Sequence, residues 1–310
     1  MRKLVSIAIA TYNGEKFLRE QLSSIFNQTY KNIEVVVCDD KSNDSTIDIL
    51  EEFSQSHGLE YHINKKRLGV AKNFQKVISK CNGDFIALSD QDDIWMENKI
   101  YDMISNINNN SLIYSDGIFV NENGETKNEK ISKFWNLYGK DSKDKYFYRM
   151  LVLNSMILGS SCMFSSCLKK EILPIHKSSR NHDWWISLMA HLKGGVKYYN
   201  KILYKYRIHE QNESAINASN KNLIKRIFEY KEFKKNKREE MKIVNFLLEN
   251  NLYDGIKNKK FITNILNESN TFFSHKKYIT IIKNMKYRNQ YKQPNKILYF
   301  IRIIKRIILS

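Results

Sequence analysis

An α/β protein with a mixed, mainly parallel sheet flanked by helices is what three features of the 310-residue chain predict. Short β-rich runs alternate with stretches of helical periodicity in the first part of the chain, the pattern of a parallel sheet covered by helices. Segments rich in Asp, Ser and Asn stand directly after the strands. The last third turns to Lys-, Asn- and Ile-rich sequence with helical periodicity, a basic helical C-terminal extension.

Leu4 to Ala10 is a short apolar run leading into Thr11-Tyr12-Asn13-Gly14, which reads as a buried first strand rather than a signal peptide. Leu18, Gln21, Leu22, Ile25 and Phe26 follow at helical spacing, and Ile33 to Cys38 is the second strand. A polar turn ends at a helix cap at Asp44 or Ser45, with Leu50 and Phe53 on one face of the helix beyond it. Leu59 to Ile63 is a third strand. Val70, Phe74, Val77 and Ile78 mark a helix that Asn82-Gly83 breaks, and Phe85 to Leu88 is the fourth strand. From about residue 112 the pattern becomes strands at Leu112 to Ser115, Ile118 to Asn121 and Ser161 to Phe164, with one helix over Asp183 to Leu192. The expected division is a domain over 1–215 and a basic helical region over 216–310.

With 42% hydrophobic residues, 2 Pro and 11 Gly, the composition excludes collagen-like, linker-rich and disordered chains. No stretch approaches the roughly 20 apolar residues of a spanning helix. Cys38, Cys81, Cys162 and Cys167 show no C-x-x-C spacing and are expected as free thiols, which fits the cytoplasm. Charge is unevenly placed: residues 221–310 hold 22 Lys and Arg against 7 Asp and Glu, and residues 1–220 hold 29 against 26. A near-neutral body thus carries a cationic tail, which seeks an anionic surface, lipid or nucleic acid.

In an open α/β sheet, ligands bind outside the carboxyl ends of the strands. Strand one ends in Thr11-Tyr12-Asn13, strand two in Asp39-Asp40-Lys41-Ser42 and strand four in Ser89-Asp90-Gln91-Asp92-Asp93. Any one of these would also serve as a turn or a helix cap. Three on one edge point to a ligand site. Asp90, Asp92 and Asp93 crowd three carboxylates together, which is costly unless a cation or a hydrogen-bond network relieves it. Oxygen ligands imply Mg²⁺ or Mn²⁺, ions commonly held by one or two carboxylates plus substrate phosphates.

Four segments, in this order, resemble the family 2 glycosyltransferases: Val5 to Gly14, Val37 to Thr46, Leu68 to Phe74 and Gly83 to Trp95, within a likeness reaching to about Asn212. The resemblance implies a GT-A (Rossmann-like) fold and inverting transfer from a nucleotide sugar. It implies that Thr11, Tyr12 and Asp39 hold the base, with Asp39 accepting from a pyrimidine N3–H, and that Asn13, Asp40, Asn73 and Gln91 belong to the same nucleotide-sugar site. Asp90 is placed by it near the ribose, Asp92 on Mn²⁺ or Mg²⁺, and Asp93 in support. Ala10 replaces the family's usual Pro or Val, a small departure.

Asn181-His182-Asp183-Trp184-Trp185 resembles the family's base-bearing segment, which makes Asp183 the candidate base, and Tyr206 to Asn212 resembles its His-x-x-Asn element, in which His209 reaches the metal or the diphosphate. As residues alone, Asp183 equally suits a helix N-terminus, His209 a solvated side chain, and Trp184 and Trp185 packing. Trp184 or Trp185 is expected to touch the acceptor. The combination is most similar to rhamnosyltransferases of bacterial surface-polysaccharide assembly, so dTDP-L-rhamnose is the expected donor, with UDP-hexoses and UDP-HexNAc open, and a glycan or lipid-linked glycan the expected acceptor.

A glycoside hydrolase also needs two carboxylates, but not a metal-type cluster on a nucleotide-binding edge. A nucleic-acid-binding protein would use the cationic tail, and the acid-edged body argues against it. Near the end, Asn295, Tyr299, Arg302 and Arg306 form one helical stripe and Ile297, Phe300, Ile301, Ile304 and Ile308 the opposite face. That is the pattern of an in-plane helix on an anionic membrane, or of one packed on the domain. The expected location is the inner face of the cell membrane.

Overall fold

The computed structural model describes residues 2–135, 157–179 and 181–209, with Lys242, Phe246 and Glu249 beyond them. The expected boundary at 215 and the amphipathic segment 296–309 lie outside these residues. The first strand, β1 (Val5–Thr11), is apolar and buried on both faces, as suits the middle of a parallel sheet. It pairs in parallel with β2 (Ile33–Asp39) on one side and β4 (Phe85–Ser89) on the other, and β3 (Glu60–Ile63) extends the sheet from β2.

Helices α1 (Leu18–Phe26), α2 (Thr46–His57) and α3 (Val70–Lys80) connect these strands, each burying one stripe: Leu18, Leu22 and Ile25; Ile49, Leu50 and Phe53; Phe74, Val77 and Ile78. At the start of α2, Asp44 Oδ1 accepts from the Thr46 N–H (3.1 Å) and hydroxyl (2.5 Å). Gly58, at φ 72°, ends the helix in the left-handed conformation that glycine adopts at least cost.

Beyond β4, the two-residue β5 (Ile94–Trp95) and α4 (Lys99–Ile107) lead into β6 (Leu112–Val120) and β7 (Thr126–Lys130). Short helices α5 (Ser132–Trp135) and α6 (Lys169–Ile172) flank β8 (Cys162–Ser165) in the chain. Then come α7 (His182–Lys193) and β9 (Val196–Arg207). Among the described residues the sheet runs β3-β2-β1-β4-β8-β6-β9-β5, with β7 beside β6. It is antiparallel where β8 meets β4 and β6, and parallel again between β6 and β9.

Two expectations need correction. The strands expected at Leu112 to Ser115 and Ile118 to Asn121 are one strand, because Asp116-Gly117 forms no turn. Register shifts against β9 on either side of Asp116 absorb the irregularity. The buried Asp116 carboxylate accepts from the Gly117 N–H (2.9 Å), the Ser132 N–H (3.1 Å) and the Ser132 hydroxyl (2.7 Å). A side chain at Gly117 would meet Ile131 and Tyr204 at 2.7 Å, so only glycine fits. The second correction is β9, which was not anticipated at all. Its first half is half-exposed on both faces and lacks the alternation that marks a strand.

No helix among the described residues is long and apolar enough to cross a membrane.

Candidate active site

The loops after β1, β2 and β4 meet at one edge of the sheet, and internal hydrogen bonds fix each of them. Asp39 is fully buried and accepts from the Thr11 hydroxyl (2.7 Å), the Ser42 N–H (2.8 Å) and the Ser42 hydroxyl (2.6 Å). Of about four acceptor positions on a carboxylate, one remains, on Oδ1. Asn13 turns the chain at φ 47°, its N–H donating to Ser42 Oγ (2.9 Å) while its Oδ1 accepts from Asn43 N (3.1 Å). Gln91 grips the backbone of Tyr12 from both sides, accepting from its N–H (2.9 Å) and donating to its carbonyl (3.1 Å). Tyr12 is thereby tied to the acid loop after β4 and remains half-buried, with the Arg67 guanidinium 3.9 Å above its ring.

Two of the residues expected at the nucleotide also brace the interior. The Asp40 carboxylate, 3% exposed, accepts from Asn64 Nδ2 (2.9 Å) and from the backbone N–H groups of Leu68 (2.7 Å) and Gly69 (2.8 Å). Asn73 donates to the Cys38 carbonyl (2.7 Å) and accepts from Asn64 (2.9 Å). Both residues hold the β3–α3 connection against β2, and Asp40 keeps one acceptor position, on Oδ2, as Asp39 does on Oδ1.

The acid loop sorts its three carboxylates by depth. Asp93 is buried, and burial followed by the charge of Asp92 pushes its pKa up to about 7. Asp90 is raised well above the ordinary range by burial, then by Asp93, Asp92 and Asp183. Asp90 and Asp92 are both part-exposed; the Asp92 side chain is 17% exposed, and its Oδ2 meets His209 Nε2 at 2.8 Å. Asp183, in the first turn of α7, stands near enough to Asp90 for its charge to help raise that group. Its Oδ2 accepts from the Gly159 N–H (3.3 Å) and its Oδ1 from the Trp184 N–H (2.8 Å). Asn181 is the cap of α7, accepting from Trp184 N through its side chain, which leaves Asp183 within the first turn.

Asp92 and His209 fit a Mn²⁺ or Mg²⁺ ion as a partial ligand set. Their donor atoms stand 2.8 Å apart, close to the roughly 3 Å between neighbouring ligands of an octahedral ion with bonds of about 2.1 Å. Among the described residues no group of three or more His, Cys, Asp and Glu is placed to hold an ion, so such a metal would take its remaining ligands from phosphate and water.

Trp184 and Trp185 correct a further expectation. They are 0% and 3% exposed, and the Trp185 indole N–H donates to the Ile172 carbonyl (2.9 Å). The Trp185 ring packs with His176 at 5.6 Å and Phe246 at 6.4 Å. Because α7 is buried on every side from His182 to Leu192, these aromatic faces belong to the core and offer no platform to an acceptor.

Three side chains that shape the site, Lys99, His182 and Arg207, carry no role of their own in the sequence reading. Lys99 is fully buried, donates to the Ser160 carbonyl and lies 3.8 Å over the Trp95 ring; burial lowers its pKa to about 7. In sequence it is one polar residue in the first turn of a helix. His182 stacks on Phe74 at 3.8 Å and 14°, its pKa pushed down to about 3 by burial, so it is neutral. Gly159 lets the chain pass beside it, since a Cβ there would lie 3.1 Å from His182 Nε2.

Arg207 is the third, 1% exposed at the end of β9. It donates from Nε to the Asp92 carbonyl (2.9 Å), from its other nitrogens to the Glu122 carbonyl (2.6 Å) and Glu20 Oε2 (2.5 Å), and from its backbone N–H to Asp93 Oδ1 (3.2 Å). Arg207→Met removes the donors to the part-buried Asp92 and Glu122 carbonyls and the ion pair with Glu20, and is expected to cost about 2–4 kcal/mol of stability. Chemical denaturation of the two proteins measures this; an unchanged midpoint would show that the brace is dispensable.

Similarity to known proteins gives the family. The sequence pattern described as Glycosyl transferase family 2 matches residues 6–170, and the chain belongs to that family. It is a glycosyltransferase with the GT-A fold. It is 31% identical to the dTDP-rhamnosyl transferase RfbG of Shigella flexneri over 83% of this chain and 91% of that protein. Over 39% of this chain and 48% of the relative it is 38% identical to the UDP-Glc:alpha-D-GlcNAc-diphosphoundecaprenol beta-1,3-glucosyltransferase WfgD of Escherichia coli. The crystal structure of S. aureus TarS 1–349 in complex with UDP-GlcNAc shares the fold, with a TM-score of 0.61 and 18% identity over 87% of this chain and 73% of that one.

Proposed function

We propose that the chain transfers L-rhamnose from dTDP-L-rhamnose, with inversion, to a hydroxyl of a lipid-linked glycan in bacterial surface-polysaccharide assembly. The convergence of Asp183 with Asp90 and Asp92 at one sheet edge carries this reading, because transfer needs a base for the acceptor hydroxyl beside the groups that manage the departing diphosphate. Tyr12, Asn13 and Gln91 line the donor's nucleotide, the remaining acceptor position of Asp39 meets the pyrimidine N3–H, and Thr11 keeps that carboxylate aimed. Asp90 lies by the ribose. Asp92 and His209 would hold Mn²⁺ or Mg²⁺, which when bound supplies positive charge against the charge growing on the leaving group. Asp183 accepts the hydroxyl proton.

Similarity to the Shigella dTDP-rhamnosyl transferase favours rhamnose. A UDP-hexose is the second reading, favoured by similarity to the E. coli glucosyltransferase, whose named acceptor is a lipid diphosphate. A lipid-linked acceptor suits the cationic 216–310 region, read as a membrane-associating extension that brings the enzyme to the inner face of an anionic membrane. The test is a donor screen with dTDP-rhamnose, UDP-glucose and UDP-GlcNAc, following release of nucleoside diphosphate with Mn²⁺, with Mg²⁺ and with EDTA. Release from dTDP-rhamnose that disappears in EDTA is expected. Metal-independent release overturns the cofactor assignment, and no release from any donor overturns the reaction.

A further inference from the structure

From Ile63 to Lys80 the chain carries six lysines and arginines and no aspartate or glutamate. Elsewhere on the body some surface cations are matched by carboxylates, Lys3 by Asp84, Lys16 by Glu122, Lys193 by Glu171 and Lys201 by Asp102, while Lys31, Lys41 and Lys177 stand singly in segments that also carry acidic or neutral residues. In this segment Lys65, Lys66 and Lys72 are exposed, and no carboxylate among the described residues pairs with them. The connection between β3 and α3 also ends in two exposed apolar side chains, Ile63 at 49% and Val70 at 42%; with Tyr101 these are the large hydrophobic side chains left exposed among the described residues.

The connection is held in one shape. Asp40 binds the N–H groups of Leu68 and Gly69, Lys76 reaches Asn64 Oδ1 at 2.5 Å, and Gly69 turns the chain at φ 82°. It leaves the carboxyl end of β3, which runs parallel to β2 and β1, so it stands at the same sheet edge as Asp39 and Tyr12. Lys65 and Lys66 bracketed by Ile63 and Val70, with Lys72 just beyond in α3, on a backbone already ordered, make a surface suited to the headgroup layer of an anionic bilayer.

We propose that the β3–α3 connection is a membrane contact on the folded body, with Lys65, Lys66 and Lys72 against anionic lipid headgroups and Ile63 and Val70 entering the interface. It turns the donor-binding edge toward the leaflet that would present a lipid-linked acceptor. This inference rests on the membrane location proposed above and adds a second contact to the one assigned to the C-terminal region.

Two measurements on the full chain test it. Cys167 is the exposed cysteine and Cys38, Cys81 and Cys162 are buried, so Cys167→Ser with Val70→Cys accepts one environment-sensitive dye. Vesicles containing phosphatidylglycerol should shift the dye emission to the blue, and phosphatidylcholine vesicles should not. Lys65→Glu with Lys66→Glu should lower partition onto phosphatidylglycerol vesicles about thirtyfold or more while dTDP and UDP affinities stay the same. A dye that stays in water while the protein cosediments with the vesicles overturns the inference and leaves the membrane location standing. So does a variant that keeps its partition but loses nucleotide affinity, which assigns these cations to the donor. Failure of the unmodified chain to bind phosphatidylglycerol vesicles overturns both.

Discussion

Asp92→Asn should reduce turnover at least about a thousandfold at saturating metal while leaving the melting temperature nearly unchanged. The two halves of that expectation have separate causes. Stabilisation of a leaving diphosphate by a bound ion is worth several kcal/mol, and each 1.4 kcal/mol is about a factor of ten in rate. The Asp92 side chain, 17% exposed, has His209 as its hydrogen-bond partner and lies beside two other carboxylates, so neutralising it removes repulsion and little packing. Turnover and thermal unfolding measured on the same preparation decide the matter. Activity retained in Asp92→Asn at high Mn²⁺ would remove this residue from the reaction.

Asp183→Asn should lower kcat by at least about a hundredfold, the usual scale for a lost general base, with donor affinity unchanged. An asparagine keeps nearly the same shape but a single oxygen acceptor, so one of the contacts to Gly159 N and Trp184 N is preserved and the other is lost, a local cost that leaves the nucleotide-binding loops untouched. Single-turnover kinetics beside equilibrium binding of the donor nucleotide separate the two effects. A parallel fall in affinity and turnover would make Asp183 a donor-binding residue.

The parallel half of the fold was legible because buried parallel strands write themselves as apolar runs. Val5 to Thr11, Ile33 to Asp39 and Phe85 to Ser89 are each close to continuous, and the helices between them show clean stripes. The mixed half was legible only in part, since β9 is half-exposed and Asp116-Gly117 imitates a turn whose carboxylate is in fact satisfied by Ser132. Within the site, sequence could place residues on an edge but could not say which way they point. Asp39 and Asp40 are adjacent and chemically identical, yet one secures the turn after β2 and the other the connection before α3. Lys99 is harder still, because nothing local distinguishes a lysine enclosed by Trp95, Tyr204 and a carbonyl from one in water.

The brace at Arg207 has a consequence for the order in which the enzyme is made. The acid loop emerges early, yet the guanidinium that holds the Asp92 carbonyl, and the imidazole that meets its carboxylate, are encoded more than a hundred positions later. Domains form as the chain leaves the ribosome, and contacts so distant in sequence close last. A nascent chain can therefore pair β1, β2 and β4 while its acid loop still lacks Arg207 and His209. A fragment stopped at residue 170, where the family pattern ends, carries the acid loop without the residues that complete it. Premature termination between 170 and 207 should leave a remnant without Arg207 and without a complete β9, and so with no working site, so activity would report on synthesis of the whole body where an antibody against a linear epitope of the parallel half would not.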